Sequence, residues 1–265
     1  MKKMMSLALA LVMCLSLCIP AFASDFSVSH AEKYAHLVEC GIPEYVLDVQ
    51  DEFSINSMYE ESLTNYIALA SFNQSQGLDD VNNSGISPAA VSDGSFGMDT
   101  TVLAVYASDR VTFLYYAVYT KYEWTSAPFQ HLTDGITVNW DGNLLTYISG
   151  SFYYAPSYKT AYTSWTDDTK NATTTLDNAL QGGVGVTFDL EKTATLLLRG
   201  TFFIKLEKRN AQSGGNRTTI NSNYAHTTTS VAASSLTIGT SGVSTTFTGT
   251  QSYQNSASTA TVTIP

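Results

Sequence analysis

Charge is scarce in this chain. Asp, Glu, Lys and Arg make up 14% of its 265 residues, against about a quarter in ordinary soluble domains, which excludes a charge-rich disordered polymer. Basic residues are scarcer still, with 13 Lys and Arg against 23 Asp and Glu and a net charge of −10. Phosphate recognition takes clustered Lys and Arg, so nucleic acid is excluded as a partner and an anionic membrane surface is disfavoured. Cysteine is limited to Cys14, Cys18 and Cys40. The first two lie in an apolar N-terminal run, so a chain trimmed of that run keeps one thiol, forms no internal disulfide and depends on burial for stability. GxSxG, HExxH and phosphate-binding glycine loops are absent, which removes the best-marked hydrolase and nucleotide-enzyme classes. From 218 to 265 there is no Asp, Glu, Lys or Arg at all.

Hydroxyl groups stand in place of charge. The chain holds 34 Thr, 30 Ser and 16 Tyr with 44% hydrophobic residues, and Thr and Tyr favour strands over helices. A hydroxyl-rich surface over a β core is the expectation.

Residues 1–23 read as an export signal. Lys2 and Lys3 give a positive start, Met4 to Ile19 an uncharged apolar run, and Ala21-Phe22-Ala23 the small residues that a signal peptidase reads. Cleavage before Ser24 leaves a secreted chain of net charge −12. The apolar run ends at Pro20, short of the roughly 20 residues that span a bilayer.

After the signal the pattern divides in three. A helical segment is expected over 24–70: Ser29 and Glu32 have capping-box spacing, Gly41 suits a helix C-terminus, Pro43 suits a following first turn, and Asp51 suits a third helix start. Residues 71–98, rich in Gly, Ser, Asn and Asp, read as a linker or long loop. From 99 to 265, runs of alternating hydrophobicity broken by turns such as Asp141-Gly142-Asn143 and Ser213-Gly214-Gly215 predict an antiparallel β domain. The fold class is mainly β, an antiparallel β-sandwich with a barrel as the alternative, preceded by a short helical segment; no helices intervene to carry parallel crossovers.

Sixteen of the 31 aromatic residues fall between Tyr106 and Trp165. The strand 111–124 puts Leu114, Tyr116, Val118, Tyr122 and Trp124 on one face and Phe113, Tyr115 and Tyr119 on the other. Exposed, such residues would stack on sugars or partner proteins; buried on both faces, they would mark a central strand. The ligand-contact candidates are Tyr116, Tyr122, Trp124, Asp134 and Trp140, with Asp134 able to close an Asx-turn before Gly135. Glu123, Asp134, Asp141 and Asp189 are the carboxylates from which a glycosidase pair would be drawn. Asp80, Asn82, Ser84 and Gly85 repeat the opening of a calcium loop, but its twelfth position is Val91, not the bidentate Glu. His131, Asp134 and His226 lack the tight spacing of a transition-metal site, so no metal or other cofactor is expected. His36 lies one helical turn before Cys40, without a protease signature around either.

The arrangement of Trp124, Pro128, Asp134 and Trp140, together with CGIPEYVLDV at 40–49 behind an export signal, resembles that of uncharacterised secreted proteins of Gram-positive bacteria. The resemblance covers about a tenth of the chain and transfers no catalytic residue. The expectation is a secreted, non-catalytic binding or surface-interaction protein with an extracellular glycan or protein as partner. Alternatives are a secreted glycoside hydrolase on the same sandwich and a membrane-active β protein, whose best hairpin would pair 194–208 with 217–229. Stable membrane insertion is not expected, because that partner strand offers only Ile220 and Tyr224 as large apolar residues.

Overall fold

A computed structural model describes residues 28–81, 95–126, 128, 133–161, 164–167, 172–175, 182–190, 195–227, 236–238, 245–247 and 253–265. Three helices come first: α1 (His30–Glu39), α2 (Glu44–Leu47) and α3 (Glu52–Ser62). Their ends follow the local chemistry. The Ser29 side chain accepts from Glu32 N and Glu32 accepts from Ser29 N, the reciprocal capping box. Gly41 takes φ 93°, which lets Ile42 N reach Leu37 O and close α1. Pro43 is the N-cap of α2, one residue earlier than a first-turn position, and Asp51 caps α3 through Ser54 N.

Fifteen strands follow among the described residues. They are β1 (Tyr66–Gln76), β2 (Asp79–Val81), β3 (Phe96–Tyr106), β4 (Phe113–Trp124), β5 (Thr133–Trp140), β6 (Leu145–Tyr147), β7 (Tyr153–Thr160) and β8 (Thr166–Asp167), then β9 (Ala172–Thr175), β10 (Gly183–Asp189), β11 (Thr195–Lys208), β12 (Arg217–Thr227), β13 (Leu236–Ile238), β14 (Thr245–Phe247) and β15 (Tyr253–Thr263). One sheet, here sheet A, has the order β1-β3-β4-β11-β7-β8 with β6 also on β11. Sheet B runs β2-β15-β12-β5-β10-β9, and β13 pairs with β14. Every pairing is antiparallel and neither sheet closes on itself. The protein is therefore a β-sandwich and not a barrel.

Strand structure starts earlier than the sequence pattern predicts. β1 occupies Tyr66–Gln76, in place of the expected helical segment to 70 and the loop after it, and β3 begins at Phe96. β1 is an edge strand, and its polar Asn73, Gln74 and Gln76 give it the composition of a loop. The hairpin expected between 194–208 and 217–229 is also corrected. β11 lies in sheet A and β12 in sheet B, joined by a 3₁₀ turn at Ala211–Ser213 that crosses between the layers.

Sheet A is covered on both faces. Between the sheets, Phe96, Val102, Tyr116, Val118, Tyr122, Trp124, Phe202 and Ile204 of sheet A meet Ile136, Val138, Val186, Tyr224, Ala260 and Val262 of sheet B. On the other face Leu103, Val105, Ala117, Tyr119 and Phe203 pack under Leu37, Ile42, Val46, Leu47, Ile55 and Met58 of the helical layer. β4 thus has two aromatic faces because it has two interiors. The simple alternation fails at its start, because a bulge pairs Tyr106 with Phe113 and Val105 with Tyr115. Phe113 consequently joins the inter-sheet core and Leu114 the helix-side core, the reverse of the alternating assignment for Leu114 and Phe113.

Hydroxyls also bridge the sheets, in addition to covering the surface. Thr120 Oγ1 lies 2.7 Å from Ser222 Oγ, Ser75 Oγ 2.9 Å from Ser256 Oγ, and Ser258 donates to Asn73 O at 3.2 Å.

Gly200 is fixed by packing. A Cβ there would stand 2.6 Å from Tyr122 Cε1, and the Tyr122 ring cannot swing aside, since it stacks on Phe188 at 5.5 Å and its hydroxyl pairs with that of Tyr154 at 2.8 Å. Gly200→Val is expected to lower the unfolding free energy by about 1–3 kcal/mol, the usual cost of overpacking, measured by urea denaturation; a gain in stability would contradict this packing account.

Candidate functional site

The five residues singled out from the sequence are all buried, at 0–2% exposure. Tyr122, Trp124 and Asp134 converge. Trp124 Nε1 donates to Tyr224 Oη at 2.9 Å, Tyr224 Oη donates to Asp134 Oδ2, and His226 Nδ1 lies 2.9 Å from Asp134 Oδ1. Tyr122 packs on Tyr224 with ring centroids 4.8 Å apart. Tyr116 and Trp140 are elsewhere in the same core, where their polar tips reach Thr263 O at 2.8 Å and Leu145 O at 3.2 Å. Buried this way, the five hold the two sheets together, and a ligand approaching from outside meets none of them. Asp134 accepts from its sheet B neighbours Tyr224 and His226, in the buried interior and not in an exposed turn.

Burial, reinforced by the Asp134 carboxylate, pushes the Tyr224 hydroxyl well above the ordinary tyrosine range, so it stays a donor. For His226, burial disfavours the charged form, but the charge and hydrogen bond of Asp134 together outweigh it and hold the imidazole above its ordinary pKa. Tyr224→Phe removes the hydroxyl that accepts from Trp124 Nε1 and donates to Asp134 Oδ2. It is expected to cost about 1–3 kcal/mol in chemical denaturation; an unchanged midpoint would show the network to be dispensable.

The groups open to a ligand lie on the other face of sheet A, beyond the ends of the helices. A cleft of about 350 Å³ is lined by Asp48, Gln74, Gln76, Asp99, Lys121 and Glu123, among others. The register explains the grouping. Gln74 faces Asp99, Asp99 faces Lys121, and Lys121 faces Thr201 in one row across β1, β3, β4 and β11, while a bulge after Leu69 turns Gln74 and Gln76 toward the helix side. The connection from α2 to α3 docks on this row: Lys121 Nζ donates to Val49 O at 2.6 Å, Thr201 Oγ1 to Asp51 Oδ2 at 2.6 Å, and Gln50 Nε2 to Thr101 Oγ1 at 3.1 Å. Lys121 also pairs with Glu123 at 2.9 Å. Burial raises Asp99 to about 7, with Lys121 and Gln50 pulling the other way.

Of the four carboxylates considered for a catalytic pair, Asp134 faces the inter-sheet core and Glu123 the cleft on the opposite face of sheet A. Asp141 accepts from Asn143 N in an exposed turn and Asp189 ends β10 with its side chain exposed. The structure does not bring the four together. Among the described residues no three of His, Cys, Asp and Glu group as a metal site requires. Asp80 lies in β2 opposite Gln254; Asn82, Ser84 and Gly85, like His131, lie outside the described residues. Sequence reasoning missed Asp99, Lys121 and Gln74. The available signal was a charge at mid-strand in GMDTTVLAV and YAVYTKYEW, where burial obliges a partner.

Asp99 makes stability pH-dependent with a definite sign. Its folded value of about 7 exceeds the ordinary 3.8, so the folded state binds the extra proton between those limits and stability falls as pH rises through that window. His226, raised by its setting, contributes in the same direction, its stabilisation being lost as pH passes its folded value. Asp99→Asn, which keeps the acceptor for Gln50, is expected to raise the Tm near pH 8 and leave it nearly unchanged near pH 4, read by thermal denaturation. A lower Tm at both pH values would contradict this.

No family model matches this chain and no curated protein matches it. Solved structures with some likeness are the C-terminal domain of the Streptococcus agalactiae AgI/II polypeptide BspA, at 8% identity and TM-score 0.29 over 61% of this chain and 76% of that one, and a structure titled for pH-induced modulation of Streptococcus parasanguinis adhesion by Fap1 fimbriae, at 8% identity and TM-score 0.27 over 72% and 90%. At these scores neither likeness carries a structural or functional argument.

Proposed function

We propose that this chain is a secreted, non-catalytic binding protein that contacts a glycan or a protein outside the cell through the cleft over sheet A. The observation that supports this reading is the cleft itself: an open, polar depression of about 350 Å³ on strands held from both sides. The side chains of Gln74, Gln76, Asp48 and Glu123 offer planar amide and carboxylate groups, which match paired hydroxyls or backbone amides of a ligand. Close by, Tyr45 is 59% exposed and rests edge-on against Phe72, which shares a face of β1 with Gln74; such a ring gives a sugar or an apolar side chain something to stack on. Export rests on the N-terminal pattern of Lys2, Lys3 and the apolar run to Ile19. No helix among the described residues is long and apolar enough to cross a membrane.

Glycan-array and pull-down measurements on the chain from Ser24 test this directly. Binding is expected, and Gln74→Ala and Glu123→Ala are expected to weaken it while leaving the Tm within about 0.5 kcal/mol equivalent of the parent. Absence of binding in both assays, or binding indifferent to both substitutions, would contradict the reading.

A second reading, a glycoside hydrolase at the same cleft, is favoured by one observation. Asp99, with its raised pKa, and Glu123, which pairs with Lys121, stand diagonally on adjacent strands of one sheet face, two carboxyl groups in unlike settings of the kind that acid and nucleophile roles need. Sugar release that disappears in both Asp99→Asn and Glu123→Gln would favour it over the binding protein. Membrane activity is the third class, and Leu198, Phe202, Ile204 and Leu206 of β11 with Ile220 and Tyr224 of β12 are spent in the sandwich core. Neutral vesicles loaded with dye are expected to stay intact at micromolar protein, and protein-dependent leakage would reverse that ranking.

A further inference from the structure

Asp99 lines the sheet A cleft and is only 6% exposed. A carboxyl buried to that extent is normally answered by several donors or by a cation. Asp99 has little of either. Its one side-chain hydrogen bond among the described residues comes from Gln50 Nε2 to Oδ1 at 3.4 Å, long for an N–H···O bond, and Oδ2 accepts none. Lys121 faces Asp99 in the strand register, but its Nζ goes to Val49 O at 2.6 Å and to Glu123 Oε2 at 2.9 Å and makes no ion pair with Asp99.

The groups around this carboxyl come from four places. Lys121 and Glu123 belong to β4, Gln50 and Asp51 to the connection between α2 and α3, Asp48 to the end of α2, and Gln74 to β1. Burial holds Asp99 up at about 7, with the charges of Asp51 and Glu123 adding to that and Lys121 and Gln50 opposing it. The cleft lining carries three carboxyls, those of Asp48, Asp99 and Glu123, against one ammonium, that of Lys121. Since Lys121 is taken by Glu123, Asp48 and Asp99 are left without a cation. Two carboxyls fall short of the roughly six to eight oxygens that a calcium ion takes, and they suit an ammonium with its three donors.

Two observations narrow the carrier of that ammonium. At 6% exposure Asp99 is reached by a slim stem, such as the four-carbon chain of lysine, and not by an amine fixed directly on a sugar ring. β1 is the outermost strand of sheet A and pairs only with β3 among the described residues, so its other side, where Gln74 and Gln76 are exposed, has no strand beside it. An extended peptide finds backbone partners there. We propose that the cleft takes the lysine side chain of an extended peptide segment of a partner protein, with the ammonium on Asp99 and the peptide backbone along β1. This rests on the binding reading above and names its partner. As the ligand enters, the Asp99 carboxyl gives its proton to solvent, and the ammonium, which stays charged well above neutral pH, becomes its counter-ion.

Nα-acetyl-lysine amide titrated into the chain from Ser24 at pH 6 and pH 8, followed by NMR of the Gln74 and Gln76 side-chain amides, is the test. Only the ionised carboxyl pairs with the ligand, so half-saturation is expected at about tenfold lower concentration at pH 8 than at pH 6, the ratio of ionised Asp99 at those two values. The Nε-acetylated derivative, which lacks the charge, is expected to bind at neither pH. Asp99→Asn is expected to lose the pH effect and the preference for the charged ligand together, with a circular dichroism spectrum like the parent's. A parent chain that the lysine derivative does not saturate, equal binding of the acetylated derivative, a midpoint indifferent to pH, or tighter binding of glucosamine would each overturn the proposal. Any of those results, found together with a glycan or protein whose binding Glu123→Ala weakens, would remove the lysine and leave the cleft a binding site.

Discussion

Sheet A is buried on both faces, and most of the structure follows from that constraint. A strand with water on one side can keep its polar residues wet, whereas β3, β4 and β11 cannot. Each polar group on them therefore needs a partner from an adjoining layer. On the helix side Lys121, Thr201 and Thr101 meet Val49, Asp51 and Gln50, and Lys205 and Tyr115 both meet Glu61 of α3. On the sandwich side Trp124 and Thr120 meet Tyr224 and Ser222 of sheet B. Satisfying these groups fixes where the helices sit and how the sheets are aligned, which apolar packing alone leaves less specific.

The same constraint separates the two kinds of polar chemistry in the molecule. The Asp134 network is buried, with Trp124 of sheet A donating to Tyr224 of sheet B and Tyr224 and His226 meeting Asp134 within sheet B, and it makes a structural joint. The Asp99 row starts in the other interior, between sheet A and the helical layer, and runs out to the edge at Gln74, where the helices end and the sheet face meets solvent. A buried carboxylate, an ion pair and exposed amides thereby share one depression. A binding surface built on the most restrained strands of a molecule loses little entropy when a ligand settles there.

Much of this is legible in the amino-acid sequence. The caps at Ser29, Gly41 and Asp51 are local, so the residues carrying them are adjacent in the chain, and each occupies the cap expected of it. The β class is legible because alternation is a property of a single strand. Which face each strand presents to which layer is a property of the assembled sheets and leaves no such local mark. Tyr116, Tyr122 and Trp124 look like contact residues when one face of β4 is taken as exposed, and they become core once helices cover one side and sheet B the other. β1 reads as helix and loop because its edge position admits Asn73, Gln74 and Gln76. The cleft joins residues from 48 to 125 through strand register, and the bulges at Leu69/Ser71 and Val105/Tyr106 that set the register have no marker in the sequence.

The central claim is that the helical layer belongs to the fold, as the cover sheet A requires. The most direct measurement compares urea unfolding of the chain from Ser24 with that of a chain from Thr64, followed by Trp fluorescence from Trp124 and Trp140 in the inter-sheet core. The account predicts one cooperative transition for the longer chain and no comparable transition for the shorter one, whose Leu103, Val105, Tyr119, Phe203 and Lys121 would face water or lack partners. A shorter chain that unfolds cooperatively at the same urea concentration would show that the sandwich stands without its helices and would contradict the claim.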